Sequence, residues 1–253
     1  MSALKGRTIL ITGGNGGIGL GMARSVAAAG ANVVIWGRNT EKLKVAAGQL
    51  QDFDVAVNAV EVDVSDEAAV MRGFSQSLEA AGGRIDTVIA NAGVGGDGSR
   101  FPEVTLEEWR RVMTTNLDAV FLVFRAAALH MIEHGQGGAL VAVSSTSAIH
   151  GAAGNEAYGT SKTALLGFVR ALAVNLARHK IRVNALLPGW TKTDLAQFAY
   201  ANEKFRDNTI KRTPVRRWAE PDEMGPAAVF LADPSNSFHT GDSIVVDGGY
   251  TIY

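Results

Sequence analysis

Residues 12–19 read Thr-Gly-Gly-Asn-Gly-Gly-Ile-Gly and set the architecture of this chain. They follow an apolar run at 8–12 (TILIT), which predicts a buried strand, and precede a stretch at 18–29 that predicts a helix ended by Gly30. Glycines at such a junction let the backbone turn tightly and approach a pyrophosphate closely. The next helix offers free N–H groups and the positive end of its dipole. A strand, glycine-rich loop and helix in this order predict a dinucleotide site.

The rest of the chain alternates short apolar runs with longer amphipathic stretches. Further strands are predicted at 32–36, 55–62, 85–90, 139–143, 182–187 and 243–246. Helices are predicted at 41–50, 66–80 and 156–179, with one or two more within 106–134. Strands separated by helices imply crossover connections. We therefore expect an α/β, Rossmann-like, doubly wound and mostly parallel seven-stranded sheet, with helices on both faces and a single domain over residues 1–253.

The least regular region is 190–218, which mixes aromatic and charged residues after a Pro-Gly pair. In a doubly wound sheet, loops beyond the carboxyl ends of the strands border the ligand crevice. We interpret 190–218 as a substrate lid, with a surface helical insertion as the alternative.

Composition excludes several classes of protein. Of 253 residues, 47% are hydrophobic and 19% charged, which is typical of a globular chain, and the formal net charge of −1 argues against nucleic-acid binding. There is no cysteine, which rules out thiolate metal sites, and the five histidines form no metal-binding motif, so no metal is expected. No apolar stretch suggests a membrane span, and residues 1–6 do not resemble a signal peptide. A cytoplasmic location is expected.

The end of the second predicted strand bears on which dinucleotide binds. An acid there would bond a ribose 2′-hydroxyl and repel a 2′-phosphate, but the sequence reads Trp36-Gly37-Arg38-Asn39. Because Arg38 can make charge-assisted contacts to a phosphate, NADP(H) is favoured over NAD(H). NAD(H) stays open as an alternative, as does a surface role for Arg38.

Tyr158 and Lys162 stand four residues apart on a predicted helix, which puts them on one face. Ser145 directly follows the fifth predicted strand, and Asn116 lies in the preceding helical segment. These residue types together suit proton transfer to or from an oxygen.

These residues, in this order, make the sequence resemble the short-chain dehydrogenase/reductase family along essentially its whole length. By that resemblance, Asn116, Ser145, Tyr158 and Lys162 are the catalytic residues, and Tyr158 and Lys162 also contact the cofactor. The other positions matching the family's cofactor site are Gly13, Asn15, Gly17, Ile18, Gly19, Arg38, Asp63, Val64, Asn91, Ala92, Gly93, Pro188, Gly189, Thr191 and Thr193. Asp247-Gly248-Gly249 matches the terminal motif. The resemblance further implies a homotetramer, formed through the two long helices and the segment 240–253.

The resemblance implies that Tyr158 is the general acid/base, that Ser145 bonds the substrate oxygen and that Asn116 holds a water in a proton relay. Lowering a tyrosine pKa from about 10 to about 7 requires roughly 4 kcal/mol of preference for the phenolate. One cation about 4 Å away supplies about that much at an effective dielectric near 20, and Lys162 is expected to be that cation.

The expected function is an NADP(H)-dependent oxidoreductase that interconverts a ketone and a secondary alcohol, a small-molecule substrate. A 3-oxoacyl thioester and a sugar acid or polyol both stay open as substrates. The alternative is a non-catalytic NAD(P)-binding sensor, which should have lost part of the catalytic set. Same-fold lyase or dehalogenase chemistry is a third class, and the intact glycine loop and Lys162 argue against it.

Secondary roles are also open for several residues. His150 is interpreted as a surface or packing residue, with substrate contact as the alternative. The basic residues Lys211, Arg212, Arg216 and Arg217 are read as a solvated face or subunit contact, with attraction of an anionic substrate as the sharper hypothesis. The aromatic residues Trp190, Phe198, Tyr200 and Phe205 either line a pocket or pack the lid onto the body.

Overall fold

One seven-stranded sheet organises the computed structural model, which describes residues 4–253. The strands are β1 (Thr8–Thr12), β2 (Asn32–Gly37), β3 (Val57–Glu61), β4 (Thr87–Ala90), β5 (Gly138–Val143), β6 (Ile181–Pro188) and β7 (Ser243–Val246). They lie in the order β3-β2-β1-β4-β5-β6-β7, and every neighbouring pair is parallel. The predicted doubly wound sheet is confirmed, and the strand order reverses between β1 and β4, where such sheets bind ligands. The expectation about a signal segment at 1–6 falls partly on residues 1–3, outside the described range.

Helices cover both faces of the sheet. They are α1 (Gly17–Ala28), α2 (Thr40–Leu50), α3 (Glu67–Ala80), α4 (Leu106–Met113), α5 (Ala119–His134), α6 (Glu156–Leu176), α7 (Gln197–Ala201), α8 (Glu203–Arg212) and α9 (Gly225–Ala232). Several begin at a polar cap: Asn39 accepts from the Lys42 N–H at 2.9 Å, and Asp66 accepts from the Ala68 and Ala69 N–H groups. Gly135, in a left-handed conformation, ends α5.

Two apolar cores lie on opposite faces of the sheet. Successive residues of a strand point to opposite faces, so Leu10 belongs to one core while Ile9 and Ile11 belong to the other. All five residues of β1 are buried. Burial on both faces accounts for the unbroken apolar runs that predicted the strands.

The structure corrects several predicted boundaries. Pairing in the third and fourth strands starts two residues later than the predicted 55 and 85, and the predicted helix 156–179 ends in a 3₁₀ turn at Ala177–His179.

Helix α9 was not predicted. It begins Gly-Pro and is apolar on all sides, so it lacks the amphipathic period that marks a surface helix. It packs closely on α1, where a Cβ at Gly225 would lie 1.8 Å from the Ser25 hydroxyl oxygen.

The helical stretch 106–134 divides into α4 and α5 around a π-helical turn at Thr114–Asp118. The stretch has the length and hydropathy of a membrane span, which on its own is weak evidence. Val123, Phe124 and Ala127 of α5 are buried in the core on one face of the sheet. This packing explains the apolar composition.

Candidate active site

The glycine loop between β1 and α1 is fastened to the end of β4. The hydroxyl oxygen of Thr12 accepts from the N–H groups of Asn91 and Ala92, both at 3.0 Å. The Asn91 amide in turn donates to the Thr12 carbonyl at 3.0 Å. The predicted Asn-Ala-Gly segment therefore braces the loop at the switch point of the sheet.

Two glycines show why the loop requires this residue type. Gly13 has φ of +63°, a left-handed conformation that side chains disfavour. At Gly19, a Cβ would lie 2.2 Å from the Gly13 carbonyl oxygen, so α1 can begin close to the strand only without a side chain. No side chain caps the N-terminus of α1, and its first turn carries no acid. Free N–H groups at a dipole's positive end, behind a loop bare of side chains, fit a dinucleotide pyrophosphate.

The structure brings the predicted adenosine-side residues together at the end of β2. Arg38 is exposed, and its Nη1 lies 4.0 Å from the Asp63 carboxylate. Hydrogen bonds from Ser65 lower the pKa of Asp63, and Arg38 lowers it further. A Cβ at Gly37 would lie 2.6 Å from the Asn15 side chain, so Asn15 fills the space where an acid would stand. Val64 is buried beside Asp63, and Ile18 packs against the core from the start of α1.

The segment after β6 returns over the glycine loop. A Cβ at Gly17 would lie 3.2 Å from the Thr193 methyl group, and the Thr191 hydroxyl donates to the Gly189 carbonyl at 3.0 Å. Pro188 is the last residue of β6. Asp194 and Lys42 form an ion pair at 2.8 Å that ties this segment to α2. The contact with Gly17 places the predicted nicotinamide-side segment against the start of α1.

Ser145 and Tyr158 meet beyond the carboxyl end of β5. The Ser145 hydroxyl is hydrogen-bonded to Tyr158, and its oxygen accepts from the Ser147 N–H at 3.1 Å. Burial raises the pKa of Tyr158 above its usual 10.0, although the bond to Ser145 opposes that rise. Tyr158 therefore keeps its proton at neutral pH, as a general acid requires.

Lys162 lies beneath Tyr158 and is almost wholly buried. Its Nζ is 5.6 Å from the centre of the Tyr158 ring and donates to the Val143 carbonyl at 2.9 Å. Burial lowers the pKa of Lys162 to about 8. The expected depression of the Tyr158 pKa by Lys162 is not found: burial raises that pKa, and Ser145 is the group that lowers it.

Asn116 sits in the π-helical turn and is fully buried. Its Oδ1 accepts from the Val94 N–H at 2.8 Å, while its Nδ2 donates to the Val94 carbonyl and to the Ser161 hydroxyl, at 2.9 and 3.2 Å. A Cβ at Gly93 would lie 3.2 Å from Asn116 Oδ1 and 3.4 Å from Lys162 Nζ. The Asn116 side chain thus joins the loop after β4 to the catalytic helix α6. Its role in a water relay stays a prediction.

Aromatic packing organises the segment 190–218. Trp218 is buried, stacks on Trp190 at 4.9 Å between ring centres and donates from Nε1 to the Thr209 hydroxyl at 2.8 Å. Tyr200 contacts Trp218, and Phe205 contacts Trp190. Trp190, Tyr200 and Phe205 thus pack within the segment, and Trp190 also contacts the Tyr250 ring outside it, whereas Phe198 is 90% exposed.

Comparisons with known proteins show which family the chain belongs to. A family described as enoyl-(acyl carrier protein) reductase matches residues 13–251. The chain is 36% identical over 252 residues to gluconate 5-dehydrogenase of Gluconobacter oxydans, covering 99% of this chain and 96% of the relative. It is 37% identical to sorbose reductase of Schizosaccharomyces pombe, covering 99% and 98%. The chain belongs to the short-chain dehydrogenase/reductase family.

A solved member of the short-chain dehydrogenase/reductase family has the same architecture. The crystal structure of a gluconate 5-dehydrogenase from Burkholderia cenocepacia, in complex with NADP and tartrate, superposes with a TM-score of 0.93 at 35% identity. The match covers 99% of this chain and 97% of that one. Membership in this family makes the protein an oxidoreductase that interconverts a ketone and a secondary alcohol.

Sequence reasoning missed Tyr250, which is buried against the rings of His150 and Trp190. It stands one residue beyond the Asp247-Gly248-Gly249 motif. In the sequence, the signal for Tyr250 was its position directly after that motif. The fold is needed to show that the carboxyl-terminal turn reaches the loops after β5 and β6.

Proposed function

We propose that this protein reduces a small hydroxylated ketone of the sugar-acid or polyol type to a secondary alcohol with NADPH, and catalyses the reverse oxidation. The observation that carries the proposal is the meeting of Ser145, Tyr158 and Lys162 beside a braced glycine loop. Two sugar-type relatives match nearly the whole chain, which supports the substrate class. The chain carries all four residues of the predicted catalytic set, Asn116, Ser145, Tyr158 and Lys162, which disfavours a non-catalytic sensor.

Tyr158 holds the proton that the carbonyl oxygen takes up, and burial keeps that proton in place. The Ser145 hydroxyl, already bonded to Tyr158, is placed to donate to the same oxygen as negative charge develops there. Lys162 Nζ, fixed by the Val143 carbonyl, would hold the nicotinamide ribose. The bound nicotinamide supplies the hydride.

NADP(H) is the cofactor that the residues at the end of β2 favour. Arg38 is exposed and only loosely paired with Asp63, so it can turn to a 2′-phosphate. Asn15 occupies the place of the acid that would select a free ribose. The remaining predicted cofactor contacts surround the same loop. A relative of this fold binds NADP.

A 3-oxoacyl thioester is the second candidate substrate. A 3-oxoacyl-[acyl-carrier-protein] reductase of Chlamydia muridarum is 36% identical over 98% of this chain, and the proposed catalytic residues suit any ketone. Selection between a 3-oxoacyl thioester and a sugar-type ketone must then come from the loops and the lid rather than from Tyr158.

The proposal is tested by following nicotinamide absorbance with NADPH and NADH on 5-keto-D-gluconate, L-sorbose and acetoacetyl thioester. Tyr158→Phe should lower kcat by about 100- to 10,000-fold, the usual worth of a general acid. Arg38→Gln should lower kcat/KM for NADPH by about 10- to 100-fold and leave NADH unchanged, because one charge-assisted contact is lost. Full activity of Tyr158→Phe would contradict the mechanism, and equal effects on both cofactors would contradict the role of Arg38.

Domain organisation, cellular location and assembly are also part of what we infer. We infer that residues 1–253 act as one domain in the cytoplasm, with 190–218 as the substrate lid. We also infer a homotetramer. Exposed apolar side chains on α5 and α6 support it, namely Phe121, Leu129, Ile132 and Val174. Phe238, Ile252 and Tyr253 are exposed near the carboxyl end.

A further inference from the structure

The four basic residues near the end of the lid have different surroundings. Arg217 is neutralised by Glu223, with contacts at 2.5 and 2.7 Å. Arg216 donates to the Lys211 carbonyl and lies over the Tyr253 ring. Arg212 has no carboxylate partner among residues 4–253, and its guanidinium carbon lies 4.3 Å from the centre of the Tyr250 ring. A guanidinium held on an aromatic face, with no carboxylate beside it in the described residues, is suited to bind one.

Tyr250 connects Arg212 to the catalytic side of the molecule. Its hydroxyl oxygen accepts from Arg212 Nη1 at 3.3 Å. The same ring contacts His150 at 5.4 Å and Trp190 at 6.5 Å, on the loops that follow β5 and β6. Those loops also carry Ser145 and Gly189. Arg212 is therefore anchored to the ring that joins the two loops bordering the substrate cleft.

His150 supplies a second, independent polar atom beside Tyr250. Its Nδ1 lies 3.1 Å from the Gly151 carbonyl oxygen, which can only accept, so Nδ1 carries the ring proton. Nε2 is then an acceptor. It is buried without a hydrogen-bond partner in the part of the chain that the structure describes. A buried polar atom without a partner is unfavourable, and a hydroxyl group admitted by movement of the lid would satisfy it.

We propose that Arg212 determines specificity by binding the carboxylate of a hydroxylated keto acid, while His150 Nε2 accepts from a substrate hydroxyl. This inference rests on the proposed function and narrows its substrate class to sugar acids. It also refines the anionic-substrate hypothesis for the basic cluster, since Arg217 is already paired.

Two keto sugars provide a matched test. 5-Keto-D-gluconate and L-sorbose share one carbon skeleton and configuration, and differ at the end remote from the ketone, where one carries a carboxylate and the other a CH₂OH group. With NADPH, Arg212→Gln should raise KM for 5-keto-D-gluconate by about 10- to 100-fold and leave L-sorbose unchanged, the worth of one charge-assisted bond. The control is Arg216→Gln, which removes the same charge from the same lid and should change neither KM. His150→Phe keeps the ring beside Tyr250 and should raise KM for both sugars.

Each other result overturns a definite part of the proposal. An equal rise for both sugars in Arg212→Gln, or the same rise in Arg216→Gln, would mean that Arg212 acts through lid structure or general charge. An unchanged KM for 5-keto-D-gluconate in Arg212→Gln would also overturn the proposed role of Arg212. If the unaltered protein reduces only the acetoacetyl thioester, the sugar class fails and this inference fails with it. If it reduces 5-keto-D-gluconate and Arg212→Gln does so equally well, only the inference fails.

Discussion

Lys162, a predicted catalytic residue, holds its ammonium where a charge is unfavourable. Its ammonium is buried, and burial lowers its pKa from 10.5 to about 8. Between these two pH values the unfolded chain binds the additional proton, so the free energy of unfolding contributed by this residue rises with pH. The slope approaches about 1.4 kcal/mol per pH unit, and the gain is lost as the pH falls toward 8.

Lys162→Met removes this titration. The difference in unfolding free energy between the cofactor-free protein and the variant should therefore shift in favour of the unaltered protein as the pH rises from 8 to 9.5. This difference in unfolding free energy is measured by urea unfolding at several pH values, with circular dichroism as the signal. Lys204→Met, which removes an exposed lysine on α8, is the control. A pH-independent difference for Lys162→Met would show that the lysine is not desolvated as the structure indicates.

The residues of the site were accessible to sequence reasoning, but their electrostatics were not. Tyr158 and Lys162 could be found because helical spacing and motif order are local features. The pKa of each depends on how deeply the fold buries it, and that burial comes from β5, α6 and the loop after β4 together. Sequence spacing therefore suggested a lysine that lowers the tyrosine pKa, whereas burial raises it.

At the scale of elements, the packing of the segment 190–218 depends on Trp218. This ring is 1% exposed and contacts Trp190 and Tyr200, and its indole N–H bonds to Thr209 of α8. Trp218→Ala should lower the free energy of unfolding by about 3–5 kcal/mol, the usual result of emptying a buried tryptophan site. Trp218→Phe keeps an aromatic ring and should cost less, although Thr209 loses its donor. Urea unfolding compares the two; equal and small losses would indicate that α8 packs independently of Trp218.

The elements were predicted as far as their burial pattern was regular. Strands buried on both faces are short apolar runs, and α1 to α3 carry an amphipathic period, so their presence was clear from the sequence. Helix α9 is apolar on every side and α7 has five residues, so neither gives that signal. The π-helical turn at 114–118 is also invisible to a 3.6-residue period, yet it places Asn116 between the loop after β4 and α6.

At the scale of the whole molecule, the exposed apolar face of α5 and α6 bears on assembly. Val174 of α6 is 83% exposed in the isolated chain, and Phe121 and Leu129 of α5 are 45% and 52% exposed. If these helices pair with another copy, Val174→Glu would place an unpaired carboxylate in that interface, which costs several kcal/mol. In size exclusion with light scattering, the variant should elute at a smaller mass than the unaltered protein. Val45→Glu is the matched control, because Val45 is also an exposed valine on a helix, at 62%, but lies on α2. Equal masses for both variants and the unaltered protein would place the subunit contacts elsewhere, whereas a reduced mass for Val174→Glu alone would assign this face to the assembly.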